Sequence, residues 1–191
     1  VQQPHANLAI SATCRVTVER PAIPVPADTA PWETVVHRLA AHDQPSTLEA
    51  YQFVFASPLI TVNSAALSYA RPSFPPGTPV LAGALDLIKR IFTEFSYDKS
   101  ATNVDTSVDQ LLANRKGVCQ DFAHLAIACL RMKGVAARYV SGYLETIPPE
   151  GEERLAEREP GWRGLGARHD RHPELLGRRL VLRLREGLGQ R

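Results

Sequence analysis

RKGVCQDFAHLAIACLRMKGVAARYVSGYL, residues 115–144, decides the reading of the chain. Forward from Cys119, the apolar positions Phe122, Leu125, Ala126, Cys129, Leu130 and Met132 recur mostly at helical spacing. Gly134 after Lys133 reads as the C-terminal cap of that helix. Gly117 stands two residues ahead of Cys119, where a tight turn must bring the backbone into the helix. Beyond Gly134, the β-branched and aromatic run VAARYVSGYLETI reads as a strand. One face would carry Ala137, Tyr139, Ser141 and Tyr143, the other Arg138, Val140, Gly142 and Leu144. Gly142 marks a bulge or a close backbone approach, and Pro148 and Pro149 end the strand.

The cysteine at the mouth of this helix carries the functional signal. A thiol at a helix start meets the positive end of the macrodipole and several unpaired amide hydrogens. Both favour thiolate over thiol, and the same amides can hold an oxyanion. Cysteine is also commonly buried as a small apolar group. Cys129 fits that bland reading because it falls inside the apolar stripe. Cys119, flanked by Gly117, Gln120 and Asp121 at a turn-to-helix boundary, fits it less well. His124 is a poor base for Cys119: five helical residues turn it about 140° away and roughly 7.5 Å along the axis. It reads as a structural hydrogen-bonder. Asp121 lies in the first turn, where a negative side chain is favoured, and reads as a cap.

The string GVCQDFAHLAIACLRMKGVAARYVSGYLET resembles the core motif of the bacterial transglutaminase-like superfamily, whose members share a papain-like cysteine-hydrolase core. FTEFSYDKSATNVDTSVDQLLANRKG upstream is similar to the lead-in to that core. The likeness runs from about residue 32 to about residue 149 and is most specific over 115–146. It implies an α+β, papain-like domain of helices and antiparallel sheet, preceded by part of a β-rich N-terminal domain. It implies Cys119 as the nucleophile of acyl transfer on a protein or peptide amide. A histidine and an aspartate on later strands would complete the triad. No cofactor is implied, since no EF-hand loop, phosphate-binding glycine loop or dinucleotide fingerprint occurs.

Outward from that centre, the chain has 191 residues, 44% hydrophobic and 22% charged, with a net charge of +2. This composition is that of a globular protein with no demand for nucleic acid. No apolar run reaches a membrane span and no signal peptide is visible, so a reducing cytoplasm is the expected compartment. Three cysteines do not make a disulfide framework. Residues 8–19 alternate Leu8, Ile10, Ala12, Cys14, Val16 and Val18 against polar neighbours, a half-buried strand with Cys14 in its core face. That strand opens residues 1–70, the partial β-rich domain, and relatives are expected to start further upstream.

Four prolines within 21–31 make a crossing. Residues 32–41 read as a short helix, 42–47 as loop, and 51–62 as strand or extended wall broken at Pro58. His37 and His42 lack ligands at useful spacing and read as surface or satisfied core residues.

The core proper is expected over 71–153. Thr78 would cap and Pro79 would open a helix whose stripe is Leu81, Ala84, Leu85, Ile88, Ile91, Phe92 and Phe95. Residues 96–105 look like loop. Thr106 with Asp109 reads as a capping pair for a helix burying Leu111 and Leu112 and ending at Gly117.

Residues 154–191 change character, with ten arginines, six glycines, no lysine and no isoleucine, phenylalanine or tyrosine. The family's histidine-aromatic and Asp-Pro settings are not found there. His169, Asp170 and His172 stand in other surroundings and take no triad role. Three explanations compete. A reading-frame shift near residue 155 would be tested by translating the coding DNA in its other frames. A basic nucleic-acid tail is weakened by five acidic residues and a lone aromatic, Trp162. A metal pair at His169 and His172 lacks a third ligand. Two function classes follow: a cysteine acyl transferase or amidase, or a catalytically silent scaffold that keeps the cysteine without its base. Substrate and oligomeric state are not written in the sequence.

Overall fold

The computed structural model describes residues 24–98, 100 and 106–140, with the backbone of two further short strands. In chain order the elements are α1 (Trp32–Ala41), α2 (Pro45–Tyr51), α3 (Ser64–Ala70), α4 (Val80–Glu94) and β1 (Ser96–Tyr97). They continue with α5 (Val108–Asn114), β2 (Lys116–Gly117), α6 (Cys119–Met132), β3 (Tyr143–Glu145) and β4 (Ala156–Arg158). β1 and β2 pair in parallel; β3 and β4 pair antiparallel with Tyr143 opposite Arg158. The strand read over residues 8–19 lies outside the described residues.

α6 is the axle. α3, α4 and α5 pack against it, and Phe122, His124–Arg131 and Asp121 are all buried. The expected one-sided stripe is therefore corrected to a helix enclosed on nearly every side. Ala126 and Ala128 make this possible, because small side chains let neighbouring helices approach all round. At its end the Gly134 cap is as read: φ is 78°, Gly134 N–H reaches Arg131 O at 2.9 Å and Val135 N–H reaches Leu130 O at 2.9 Å. These two bonds make a Schellman motif, sealed by buried Leu130 and Val135. Lys133 then lays its Nζ 3.6 Å from the Trp32 ring centre, tying this end to α1.

Several local expectations are corrected. Residues 45–47, read as loop, instead open α2: Pro45 sits in the first turn and the Gln44 N–H donates to Thr47 Oγ1 at 3.3 Å. Residues 51–62 form no strand but a 3-10 turn (Gln52–Val54) and a Ser57–Ile60 bridge. Ile60 alone plugs into the core there. α3 is an unexpected helix, started by Asn63, whose side chain accepts the Ala66 N–H at 2.9 Å. Within 24–70 the described elements are thus helical, and Ala66, Tyr69 and Ala70 share one core with α4 and α6.

Thr78 does not cap α4. Thr29 does so from a distant segment, its Oγ1 accepting the Leu81 N–H at 3.2 Å, while the chain around Pro31 pairs with that around Pro79. The buried face of α4 is Val80, Gly83, Ala84, Leu87 and Ile91; Leu85 and Phe92 are exposed, so the stripe is rotated from the one read. For α5 the cap is Ser107 with Gln110, one residue later than read, and the helix ends at Asn114 instead of Gly117. Among the described residues, 135–140 pair in no strand ladder and make one backbone bond to another segment, Ala137 N–H to Phe53 O at 3.1 Å, and β3 begins only at Tyr143. Val135 and Ala137 are buried whereas Tyr139 and Val140 are exposed, so the expected two-face alternation does not hold. Gly142 lies outside the described residues. β4 places residues 156–158 in a strand pair, so the segment set apart from residue 154 supplies one strand of that pair.

Segment 135–140 is instead held by Arg131. Its Nε and Nη2 donate to Ala137 O at 3.0 and 2.9 Å, and Nη1 donates to Phe55 O at 2.7 Å and Ser57 Oγ at 3.1 Å. One buried guanidinium thereby binds two irregular segments to α6, satisfying carbonyls that no sheet satisfies.

Candidate active site

The geometry at Cys119 is set by the four residues before it. α5 ends with Arg115 in the left-handed region, φ 54°, its N–H donating to Leu111 O at 2.9 Å. The chain then runs extended beside β1. Ser96 N–H donates to Arg115 O at 2.8 Å and Asp98 N–H to Gly117 O at 2.9 Å. Gly117 is needed for close approach: a Cβ there would meet Leu111 Cδ1 at 2.8 Å and Asp121 Oδ2 at 2.9 Å. The turn argument made from sequence is replaced by this steric one.

Val118 is the N-cap, extended at φ −111° and ψ 175°, and its N–H donates to Asp121 Oδ2 at 2.8 Å. Asp121 is thus the cap that the sequence predicts. Cys119 follows as the first helical residue, half-buried. The first-turn N–H groups behind it have no acceptor within the helix and point outward along its axis. A carboxylate, oxyanion or thiolate beside them is favoured by their partial charge.

Cys129 is the contrast. It is 0% exposed, its Sγ donates to Ala66 O at 3.4 Å, and burial pushes its thiol up to about 12. Such a thiol stays protonated and inert, as expected of a core residue. His124 is buried with its ring 5.5 Å from that of Tyr139. Burial pulls its imidazole below the ordinary value, and Asp121 offsets part of that. Burial thus favours the neutral ring, which lies against Tyr139. His37 and His42 are exposed on and after α1, and His42 stacks edge-on against Tyr51 at 4.1 Å. His169, Asp170 and His172 lie outside the described residues. Among the described residues no group of three or more His, Cys, Asp or Glu could hold a metal ion. No helix among them is long and apolar enough to cross a membrane.

Sequence reasoning missed Arg115 and the β1–β2 pair. The signal was faint: two-residue strands carry no periodicity, and Arg115 gives no hint of a left-handed backbone.

A model of the transglutaminase-like superfamily matches residues 68–161, taking in α4 to α6, Cys119 and both strand pairs. Residues 68–161 belong to the transglutaminase-like superfamily. The α+β architecture, with the cysteine opening a central helix, is that of its papain-like core. Uncharacterized proteins of Mycobacterium tuberculosis and Mycobacterium bovis are each 42% identical over 160 residues, covering 81% of this chain and 49% of theirs. The chain therefore spans about half the length of these relatives. A solved structure of a candidate cysteine protease from Cytophaga hutchinsonii superposes with a TM-score of 0.48 at 29% identity, over 55% of this chain and 35% of that one. The transglutaminase-like match extends to residue 161, beyond the point where the sequence changes character.

Proposed function

We propose that this transglutaminase-like chain is a cysteine acyl transferase or amide hydrolase acting on protein or peptide amides through Cys119. The observation that carries the reading is the placement of Cys119. It is the half-buried first residue of a central helix whose N-cap is fixed by Asp121 and Gly117, whereas the other described thiol is sealed in the core.

The Cys119 thiol gives its proton to a base and the thiolate attacks the amide carbonyl carbon. The oxyanion rests on first-turn N–H groups, the C–N bond breaks, and the amine leaves with a proton. The resulting thioester is cleaved by water, giving an acid, or by an amine, giving a new amide. The base and its carboxylate partner belong, on this reading, to residues outside the described ones. A free thiol nucleophile needs reducing conditions, so the cytoplasm is the compartment proposed.

The test is intact-mass spectrometry after incubation with p-nitrophenyl acetate, followed by peptide mapping. An acetyl adduct on Cys119, lost in Cys119→Ala and shed faster with added hydroxylamine, is the expected result. No adduct at a folded, reduced Cys119 would refute acyl transfer and leave the silent scaffold.

A further inference from the structure

The connector Arg115–Val118 lies between α5 and the nucleophile, and a cluster of charged and aromatic side chains grips its first residue. Arg115 Nη1 is 3.0 Å from Glu94 Oε2, at the end of α4. Its guanidinium also lies over two rings, 4.7 Å from the Phe95 centre and 5.2 Å from that of Tyr69. The other Glu94 oxygen takes Arg90 Nε at 3.2 Å, and Arg90 covers the same Tyr69 ring at 4.5 Å while donating to Tyr69 O and Ser73 Oγ. Phe95 meets Tyr69 edge-on at 5.8 Å and Phe122 at 6.0 Å. Phe122 stands one turn above Cys119 on α6.

The cluster therefore runs unbroken from two arginines through three rings into the nucleophile helix. It grips the connector where the backbone is in the left-handed region and where β1 and β2 begin to pair. Side chains this exposed, 44% for Arg115 and 37% for Glu94, contribute little to stability through their ion pair. What they can fix is direction: a guanidinium held by a carboxylate on its edge and rings on its faces has one orientation, which lysine cannot reproduce.

We propose that Arg115 is a positioning residue for Cys119. Clamped by Glu94, Tyr69 and Phe95, it holds the connector to β1 and so sets the mouth of α6 from which the thiol projects. The clamp is a property of the fold. Its consequence for chemistry rests on the acyl-transfer reading.

The experiment combines amide hydrogen exchange of residues 115–119 with the pH profile of Cys119 alkylation by iodoacetamide, in the unmutated chain, Arg115→Lys and Glu94→Gln. Both variants are expected to raise exchange about threefold and to move the Cys119 inflection upward, toward an ordinary thiol, with Cys129 still protected. Simple charge predicts the opposite for Glu94→Gln: removing a negative group favours thiolate and moves the inflection down. A downward move, or unchanged exchange in both variants, overturns the proposal. If a variant exposes Cys129 and so has unfolded, the unmutated chain decides. Exchange at 115–119 should rise between low salt and about 1 M salt, where the clamp is screened, and no rise overturns it. An ordinary inflection in the unmutated chain would defeat the activated-thiol reading, while the exchange data would still judge Arg115 separately.

Discussion

Gly117→Ala is the sharpest perturbation of the site that leaves its chemistry untouched. The added Cβ would stand 2.8 Å from Leu111 Cδ1, 2.9 Å from Asp121 Oδ2 and 3.1 Å from Asp121 Cβ. Leu111 is buried and Asp121 is engaged with the Val118 N–H, so neither swings away freely. Forcing an extra methyl into packed surroundings costs about 1–3 kcal/mol. Displacing the Asp121 carboxylate from its capping bond adds about 1 kcal/mol. The expected loss is therefore roughly 2–4 kcal/mol. Urea unfolding should show the midpoint falling by about 1 M or more with the slope unchanged. The same substitution made beside Asp121→Ala should cost about 1 kcal/mol less, because one of its two obstacles has gone. A loss below about 0.5 kcal/mol, or equal costs in both backgrounds, would refute the claim that Gly117 and Asp121 together shape the helix mouth.

Arg131→Met should destabilise the chain by about 3 kcal/mol, since the buried Ala137 O and the part-buried Phe55 O lose their donor. Protease sensitivity within 53–57 and 135–140 should rise with it, and an unchanged digestion pattern would contradict the binding role. Gly134→Ala should cost about 1–2 kcal/mol by calorimetry, because φ is 78° and the new Cβ would press on Val36 Cγ1 at 3.0 Å. Acid should weaken the fold through His124. Its folded value lies below 6.5, so the unfolded chain binds the proton more tightly. Stability should fall as pH drops through 6.5 toward the folded value, and His124→Gln should flatten that slope between pH 7.5 and 5.5. A variant retaining the full slope would assign the acid sensitivity elsewhere.

What the sequence disclosed was the part fixed by local grammar. The helix after Cys119, Gly134 as its cap, Asp121 in its first turn and Cys129 as a core residue depend on neighbours within one or two turns, and each appears in the structure as read. The misreadings come where distant groups decide. Thr78 looks like a cap, yet Thr29 supplies the oxygen from across the interface with α1. Residues 51–62 have β-branched and aromatic composition, yet Arg131 takes the Phe55 carbonyl, the Ala137 N–H takes that of Phe53, and Ser57 and Ile60 bond each other. Residues 135–140 read as strand for the same reason and are held by the same guanidinium. At the site, the position of Cys119 at a helix mouth was legible because a cysteine two residues after a glycine, ahead of a helical pattern, is a local signal. The clamp on Arg115 was not, because Tyr69, Glu94 and Phe95 reach it through the fold.

The most direct measurement is the rate of Cys119 alkylation by iodoacetamide against pH, followed by peptide mass spectrometry with Cys129 as internal control. A Cys119 inflection well below the free-thiol value of about 8.5 is expected, with Cys129 silent until the chain unfolds. An inflection at or above that value, or alkylation of the two cysteines at similar rates, would contradict the activated-thiol reading.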